Sequence, residues 1–346
     1  MLKIASYSVT ATTVAVSTQW RSRRKLGSLA VAATACALLL PVQVLAQEWP
    51  AAKPITMVVP FPPGGPTDIV ARLLAQHMSL QLGQSIVIDN KPGANGNIGN
   101  SLVAKAPADG YTVLYNTSSI ALSPALYKKL TYDLNKELSP VALTAVVPLA
   151  LVTHKDVPVK NVQEFFAYAK ANQDKLSYGS AGNGNVTHLA AFQMLNALGV
   201  AATHAPFRGS APADLALVGG QVTFLTDTIN TVIPFVKDKS MNLLAVTTPQ
   251  RMSLFPDVPT LAESGLPGFE AGAWQGMMLP AGTPAEIVHK LNTAVNTALK
   301  DPGVLEKLAQ QGTQALGSTP EAYGTYLQKE LKRWQEVVAA TGVSLN

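Results

Sequence analysis

The sequence predicts an α/β fold of two domains on mostly parallel sheets, and three observations carry that prediction. Strand-like apolar runs alternate with segments of helical spacing along most of the chain, the pattern of βαβ units. The run T-M-V-V-P-F-P-P-G-G-P-T-D at 56–68 ends an apolar strand in prolines and glycines. It then opens into an amphipathic stretch (Ile69, Val70, Leu73, Leu74, Met78), which reads as strand, tight loop and helix N-terminus. About 300 residues remain after an N-terminal export segment, more than one hydrophobic core comfortably serves.

In order, residues 55–59 are the first strand, and the helix after the loop spans about 68–82. Residues 85–89 read as a short strand, 97–106 as a helix and 112–115 as a strand. The long apolar run at 141–152 is interrupted by Pro148 and suits a buried strand better than a bilayer span. Helices are then expected at 162–171, 186–198 and 211–217, with strand character at 177–179, 222–225 and 243–247. Tyr323, Leu327, Leu331, Trp334 and Val338 recur at helical spacing and predict an amphipathic C-terminal helix packed on a core.

Residues 1–46 read as an export signal: a basic region (Arg21, Arg23, Arg24, Lys25), an apolar run at 29–40 and a small-residue cleavage point after Ala46. Ser22-Arg23-Arg24 also resembles a twin-arginine signal, so both export routes stay open. The apolar run is about 12 residues and ends at Pro41, short of the ~20 that span a bilayer, which favours cleavage over an anchor. Cys36, the only cysteine, lies inside that run, so the mature chain is expected to have no disulfide, thiolate nucleophile or cysteine metal site. The 26 Lys and Arg of the whole chain lose five with the signal and the 21 Asp and Glu lose none, leaving 21 of each. The basic balance belongs to the signal, and neither nucleic acid nor an anionic membrane is expected as a partner.

A helix N-terminus offers unpaired N–H groups and the positive end of the helix dipole, so the 56–68 loop suits an anion, a carboxylate above all. The same residues serve equally as an ordinary βα turn capped by Thr67 or Asp68. Four further segments bear on the choice: N-K-P-G-A-N-G-N-I-G (90–99) with A-D-G-Y-T-V-L (108–114); Y-G-S-A-G-N-G (178–184) with Thr187-His188-Leu189; F-R-G (207–209) with Asp214-Leu215; and F-P-D-V-P-T-L-A-E-S-G (255–265). In order and spacing, the five resemble the Bug receptors, the periplasmic solute-binding proteins of tripartite tricarboxylate transporters.

The resemblance implies a type II periplasmic-binding-protein-like fold: two α/β domains joined by a hinge, with an interdomain ligand cleft. Domain 1 would comprise residues 47–149 and 272–346, and domain 2, inserted, residues 150–271. Crossings are expected near 146–153 and 268–278, with Trp274 in the second and Trp334 on the C-terminal helix away from it. The implied function is capture of a small organic carboxylate for membrane permease subunits, by a monomeric periplasmic protein without cofactor or metal.

Ligands of open α/β domains bind where strands feed helix N-termini. Candidate residues at such places are Phe61, Pro62, Gly64, Gly65, Pro66, Thr67 and Asp68 in the first loop and Asn116, Thr117 and Ser118 after the strand at 112–115. A second loop contributes Ser180, Ala181, Gly182, Asn183, Gly184 and Asn185, with His188 on the following helix. Phe207, Arg208, Gly209 and Asp227 complete the set, although Arg208 suits a surface salt bridge equally and Asp227 a cap. Loops 61–68 and 180–185 would together clamp one carboxylate.

Enzymatic readings find little footing. His77, His154, His188, His204 and His289 form no metal-ligand spacing, and no G-x-S-x-G elbow or Gly-Lys-Ser/Thr loop occurs. An exported hydrolase and a sensory subunit of a signalling system are the alternatives. Phe192 stands where many relatives carry Glu, and Thr228 where an Asn is common, so the resemblance leaves the ligand's identity open.

Overall fold

The computed structural model describes residues 48–341 together with 344 and 345; the expected signal, its cleavage point and Cys36 lie outside the described residues. β1 (Ile55–Val59) leads into α1 (Pro66–Leu82), β2 (Ile86–Asn90), α2 (Asn97–Ala104) and β3 (Thr112–Thr117). α3 (Ser119–Leu126) and one-turn α4 (Leu134–Glu137) precede the long β4 (Leu138–His154). There follow α5 (Val162–Ala171), β5 (Ser177–Ser180), α6 (Val186–Leu198), β6 (Thr203–Pro206), α7 (Ser210–Val218), β7 (Phe224–Thr228), α8 (Ile229–Lys237) and β8 (Met241–Val246). β9 (Gly272–Pro280), α9 (Ala285–Ala298), α10 (Pro302–Gln310), β10 (Gln314–Ala315) and α11 (Pro320–Thr341) end the order.

Local chemistry accounts for these bounds. α1 starts on Pro66, whose fixed φ suits a first helical position, and stops at Gly83 in the left-handed region (φ 63°). It buries Val70, Leu74 and Met78 of the expected apolar stripe together with Ala71 and Ala75, while Ile69 and Leu73 are half-buried. α5 and α6 run between the residues expected from periodicity. α3 and α8 were not expected; Pro124 and Pro234 lie inside them, a residue type that disfavours a helix interior, and both fall in the last turn, where tertiary packing tolerates them.

The sheet order is β2-β1-β3-β9-β4-β7-β5-β6, with β8 and β10 also pairing with β4. β2, β1 and β3 pair in parallel, as do β6, β5 and β7. β4 and β9 instead pair antiparallel with each other and with their neighbours, so the sheet is mixed rather than mostly parallel. Residues 138–148 of β4 pair with β9, whereas 149–154 pair with β7 and β8. The change of partner follows Pro148, whose missing N–H removes a ladder bond at that point.

Thr247, fully buried, ties the place where β4 changes partner to the segment entering β9. Leu149 N–H donates to its Oγ1 at 3.0 Å, and that hydroxyl donates to the Ala271 carbonyl at 2.6 Å. Its own N–H reaches the Leu149 carbonyl at 3.0 Å, and its carbonyl accepts from Ala271 N–H at 3.2 Å.

One apolar cluster gathers Ile55, Met57, Leu74 and Met78 with Leu291 and Val295 of α9, and another gathers Phe165, Tyr178, Met194 and Phe224. A third contains Leu149, Val152, Trp274, Tyr323 and Trp334. The indole N–H groups of Trp274 and Trp334 donate to the same oxygen of buried Glu330, at 2.9 and 3.0 Å. Trp334 is therefore next to the second crossing, contrary to the expectation that the C-terminal helix carries it away.

Replacing Thr247 by Val keeps the volume but leaves the Leu149 N–H buried without its side-chain acceptor. Urea unfolding is expected to show a loss of about 1–3 kcal/mol; a change within ~0.5 kcal/mol, the range of ordinary surface substitutions, would contradict the tie.

Candidate functional site

The first loop is held from behind by Asp68. Its Oδ2 accepts Gly64 N–H at 2.9 Å and Arg72 Nε–H at 2.8 Å, while Oδ1 accepts the Asn90 amide at 2.9 Å. Burial raises the carboxyl's pKa, but the hydrogen bonds from Arg72, Gly64 and Asn90 outweigh it and hold the group below its ordinary 3.8. With Asp68 turned back to the loop, helix α1 has Gly65 as N-cap and no side-chain cap. The N–H groups of Thr67 and Asp68 thus have neither a helical nor a capping partner.

Five other described α-helix starts also lack a side-chain cap, those of α2 at Gly96 and α9 at Pro284 among them. α3 begins at Ser118, α7 at Gly209 and α8 at Thr228, each without a side-chain cap. Gly209 has φ 113°, a conformation that favours glycine, and it brings the start of α7 close to Pro62 of the first loop. By contrast, Asp133, Asn161, Asn185 and Asp301 close α4, α5, α6 and α10 by accepting first-turn N–H groups.

Of these uncapped starts, α1, α7 and α8 line one cavity of about 60 Å³, with Thr117 just ahead of the α3 cap beside them. Its wall includes Phe61, Pro62, Gly65, Pro66 and Thr67 from the start of α1, and Thr117 beside the start of α3. Ala181, Asn185, Arg208 and Gly209 face them. These ten are sequence-expected residues. Pro63, inside the expected loop 61–68, and Thr228, noted where an Asn is common, also line the cavity; Val186, Thr187, Ser210, Ala211, Pro212 and Ala273 complete the wall and were not among the expected site residues, because isolated small residues in turns leave no spacing signal. A second recess of about 520 Å³ shares Phe61, Pro62, Ala181, Arg208 and Gly209, and adds the expected Gly182, Asn183 and Phe207 with Tyr127 and residues 92–96.

Eight expected residues are not part of these walls. Gly64 and Asp68 bond each other, and Asn116 accepts the Tyr323 hydroxyl at 3.0 Å. Ser118 N–H goes to the Trp274 carbonyl, and its hydroxyl is fully buried. Ser180, Gly184 and His188 hold the second loop together, and Asp227 supports Ser210 and Thr228.

The second loop therefore differs in kind from the first. Ala181 N–H donates to Thr187 Oγ1 at 2.9 Å, Gly182 N–H to Ser180 Oγ at 3.2 Å, and Gly184 N–H to His188 Nδ1 at 3.1 Å. Asn185 N–H goes to the Gly182 carbonyl. The backbone donors of 180–185 are mostly consumed internally, whereas those of α7 and α8, opposite α1 and α3, stay open. His188 and His204 stack in parallel at 3.8 Å beneath this loop, with Tyr178 stacked on His204 at 4.8 Å. Burial lowers both histidines to about 4, and His188 also feels the charge of His204, so both rings are neutral at pH 7.

Charge at the wall is sparse. Of the described arginines, Arg72, Arg251 and Arg333 pair with Asp68, Glu263 and Glu330. Arg208 has no such partner and borders both recesses. Behind Ser210 and Thr228 lie two buried carboxyls. Burial raises Asp227 to about 6; burial and the charge of Asp227 raise Asp214 well above the usual range. Asn95, beside the larger recess, donates to the Gly184 carbonyl at 3.1 Å and accepts from the Asn185 amide at 3.3 Å, bonding the two sides of the site.

Helix starts from two sets of parallel strands, joined by antiparallel crossing strands around a shared cavity, define a periplasmic binding protein of the type II class. The chain belongs to the family of tripartite tricarboxylate transporter receptors, whose model matches residues 70–343. Protein BugT of Bordetella pertussis is 36% identical over 304 residues, covering 87% of this chain and 93% of BugT. Rpa4515 of R. palustris, solved with adipate, superposes with a TM-score of 0.83 at 37% identity, covering 86% of this chain and 99% of that one. MatC of Rhodopseudomonas palustris, solved with bound malate, gives 0.78 at 38%, covering 83% and 99%.

Asp68 makes the loop's order depend on pH. Its folded pKa is depressed, so its contribution is complete above the unfolded value of 3.8 and is lost as pH falls through the lower folded value. Asp68→Asn is expected to cost about 1–3 kcal/mol at neutral pH and to flatten the fall of stability below about pH 4, read by urea unfolding across pH. An unchanged slope would contradict the assignment.

Proposed function

We propose that this protein is an exported, monomeric receptor that binds a small organic carboxylate in the enclosed cavity and delivers it to the permease subunits of a tripartite tricarboxylate-type transporter. The observation that carries this reading is the convergence of three helix starts without side-chain caps, those of α1, α7 and α8, on one space, since such N-termini favour anions through open N–H groups and dipole. The ligands of Rpa4515 and MatC agree with it in class. Among the described residues no helix is long and apolar enough to cross a membrane.

Arg208 takes the far end of the ligand. A guanidinium without a protein partner, bordering both the cavity and the larger recess, suits a second carboxylate in a two-pronged hydrogen bond. Residues 47–149 and 272–346 form one domain and 150–271 the other; β4 and β9 carry the hinge, and Asn95 latches the closed form against Gly184 and Asn185.

A hydrolase needs a serine activated by histidine, and Ser180 Oγ does lie 2.7 Å from His204 Nε2. Ser180 is fully buried, outside the cavity wall, and its hydroxyl serves Gly182. That pair supports the loop and reaches no substrate.

Calorimetric titration of the mature protein with dicarboxylates and the matching monocarboxylates tests the reading. Arg208→Gln is expected to weaken dicarboxylates about tenfold or more, the effect of losing a charged hydrogen bond, while monocarboxylate affinity and the empty protein's thermal midpoint hold. Absence of carboxylate binding, or turnover of an ester, would overturn it. X-ray scattering checks the hinge: saturating ligand should lower the radius of gyration. Tryptophan fluorescence should change with it, but Trp274→Phe alone will not isolate that signal, because Trp334 shares Glu330.

A further inference from the structure

At one end of the cavity every hydroxyl proton is committed inside the protein. Asp227 Oδ1 accepts Thr228 N–H at 2.6 Å and lies 2.7 Å from Ser210 Oγ. An oxygen already receiving a backbone N–H acts as an acceptor, so Ser210 is the donor in that contact. Thr231 Oγ1 donates to the Thr228 carbonyl at 3.0 Å, which leaves its oxygen an acceptor for Thr228 Oγ1 at 3.3 Å. The other neighbour of Thr228 Oγ1 is Asp227 Oδ1 at 3.2 Å. Either choice turns the Thr228 proton into the protein.

Ser210 and Thr228 both line the cavity. With their protons turned inward, they offer it lone pairs and no O–H. Behind them Asp227 is fully buried and Asp214 nearly so, and neither acid takes part in the ion pairs of the described residues. The Asp227 Oδ2 and both Asp214 carboxyl oxygens are buried without a well-formed hydrogen bond. The potential on this side favours a donor on the ligand.

The first-turn N–H groups of the two helices, from Ser210 in α7 and from Ile229 in α8, have the opposite polarity, whereas Thr228 N–H itself goes to Asp227. Ser210 is the first residue of α7, and Thr228 the cap of α8, both without side-chain caps. A carboxylate held by N–H groups there has its neighbouring carbon beside two acceptor oxygens. We propose that Ser210 and Thr228, oriented by Asp227, form a donor-recognising subsite, so that the captured carboxylate is a 2-hydroxy or 2-amino acid. The inference rests on the carboxylate reading and narrows it. Asp227 is the positioning residue; the two hydroxyls make the contact. A ligand without the donor leaves both oxygens unpaired in an enclosed site, which is how a site built for a hydroxyl or amine rejects its simpler analogue.

Two matched sets of probes test this by calorimetry: propionate, L-lactate and L-alanine, and succinate, L-malate and L-aspartate. Within a set that binds, the hydroxy or amino compound should exceed the parent acid by about tenfold or more, and the order of those two tells hydroxyl from ammonium recognition. In Ser210→Ala/Thr228→Val the ratio should shrink to within about threefold, because the oxygens that favour the donor and penalise the parent acid are gone. Equal or tighter binding of the parent acid by the wild-type protein, or an undiminished ratio in a double variant with a native thermal midpoint, overturns the subsite but leaves the carboxylate receptor standing. If the double variant does not fold, Ser210→Ala alone must reduce the ratio, and no reduction overturns the proposal. Binding of neither set overturns the carboxylate reading and this subsite with it.

Discussion

A helix must find partners for its first N–H groups or leave them to solvent and ligands, and the architecture of this site follows from where that need goes unmet. Caps close α4, α5, α6 and α10, while α1, α7 and α8 reach the cavity without one; α2, α3 and α9 also lack a side-chain cap, but their starts are not part of the cavity wall. The side chains that would have served are used elsewhere. Asp68 turns back to fix its own loop, and Thr228 sends its hydroxyl toward Asp227 or Thr231. Each choice preserves order in the wall and leaves the main chain open to an anion, a neutral way to attract negative charge beside buried carboxyls.

The crossing strands determine how the open ends meet. β4 spans both sets of parallel strands and β9 returns antiparallel beside it, so the loops at the strand ends of the two sets face one another. Thr247 fastens Leu149 to Ala271 at the change of partner, and Glu330 joins Trp274 to the C-terminal helix. The site's two sides touch through Asn95, Gly184 and Asn185, and Pro62 lies close under Gly209. Binding and domain movement would therefore share the same few contacts.

Much of this was legible in the sequence where one physical rule dominated. The strand, loop and helix at 55–82 follow from apolar spacing and Pro-Gly punctuation, and α5 and α6 end where their periodicity ends. α3 and α8 were hidden because a proline in a last turn looks the same in sequence as a proline that breaks a helix. The first loop's part in the cavity could be read from its composition. The second loop has equally suggestive glycines, but whether its N–H groups are free depends on where Ser180, Thr187 and His188 point, and only the folded chain determines that. Thr228 stood out only by comparison with the family and Ser210 not at all, and the direction of their hydroxyl protons depends on Asp227 and Thr231, which only the folded chain brings to them.

The most direct measurement of the central claim is amide chemical shift, by 15N–1H correlation spectra of the mature protein titrated with a carboxylate that binds. The open first-turn amides of Thr67, Asp68, Ser210, Ala211 and Ile229 should show the largest downfield proton shifts, as they gain an anionic acceptor. Those of Ala181, Gly182 and Gly184, already bonded within their loop, should move little. The reverse pattern, with 181–184 responding and the helix starts silent, would contradict the account.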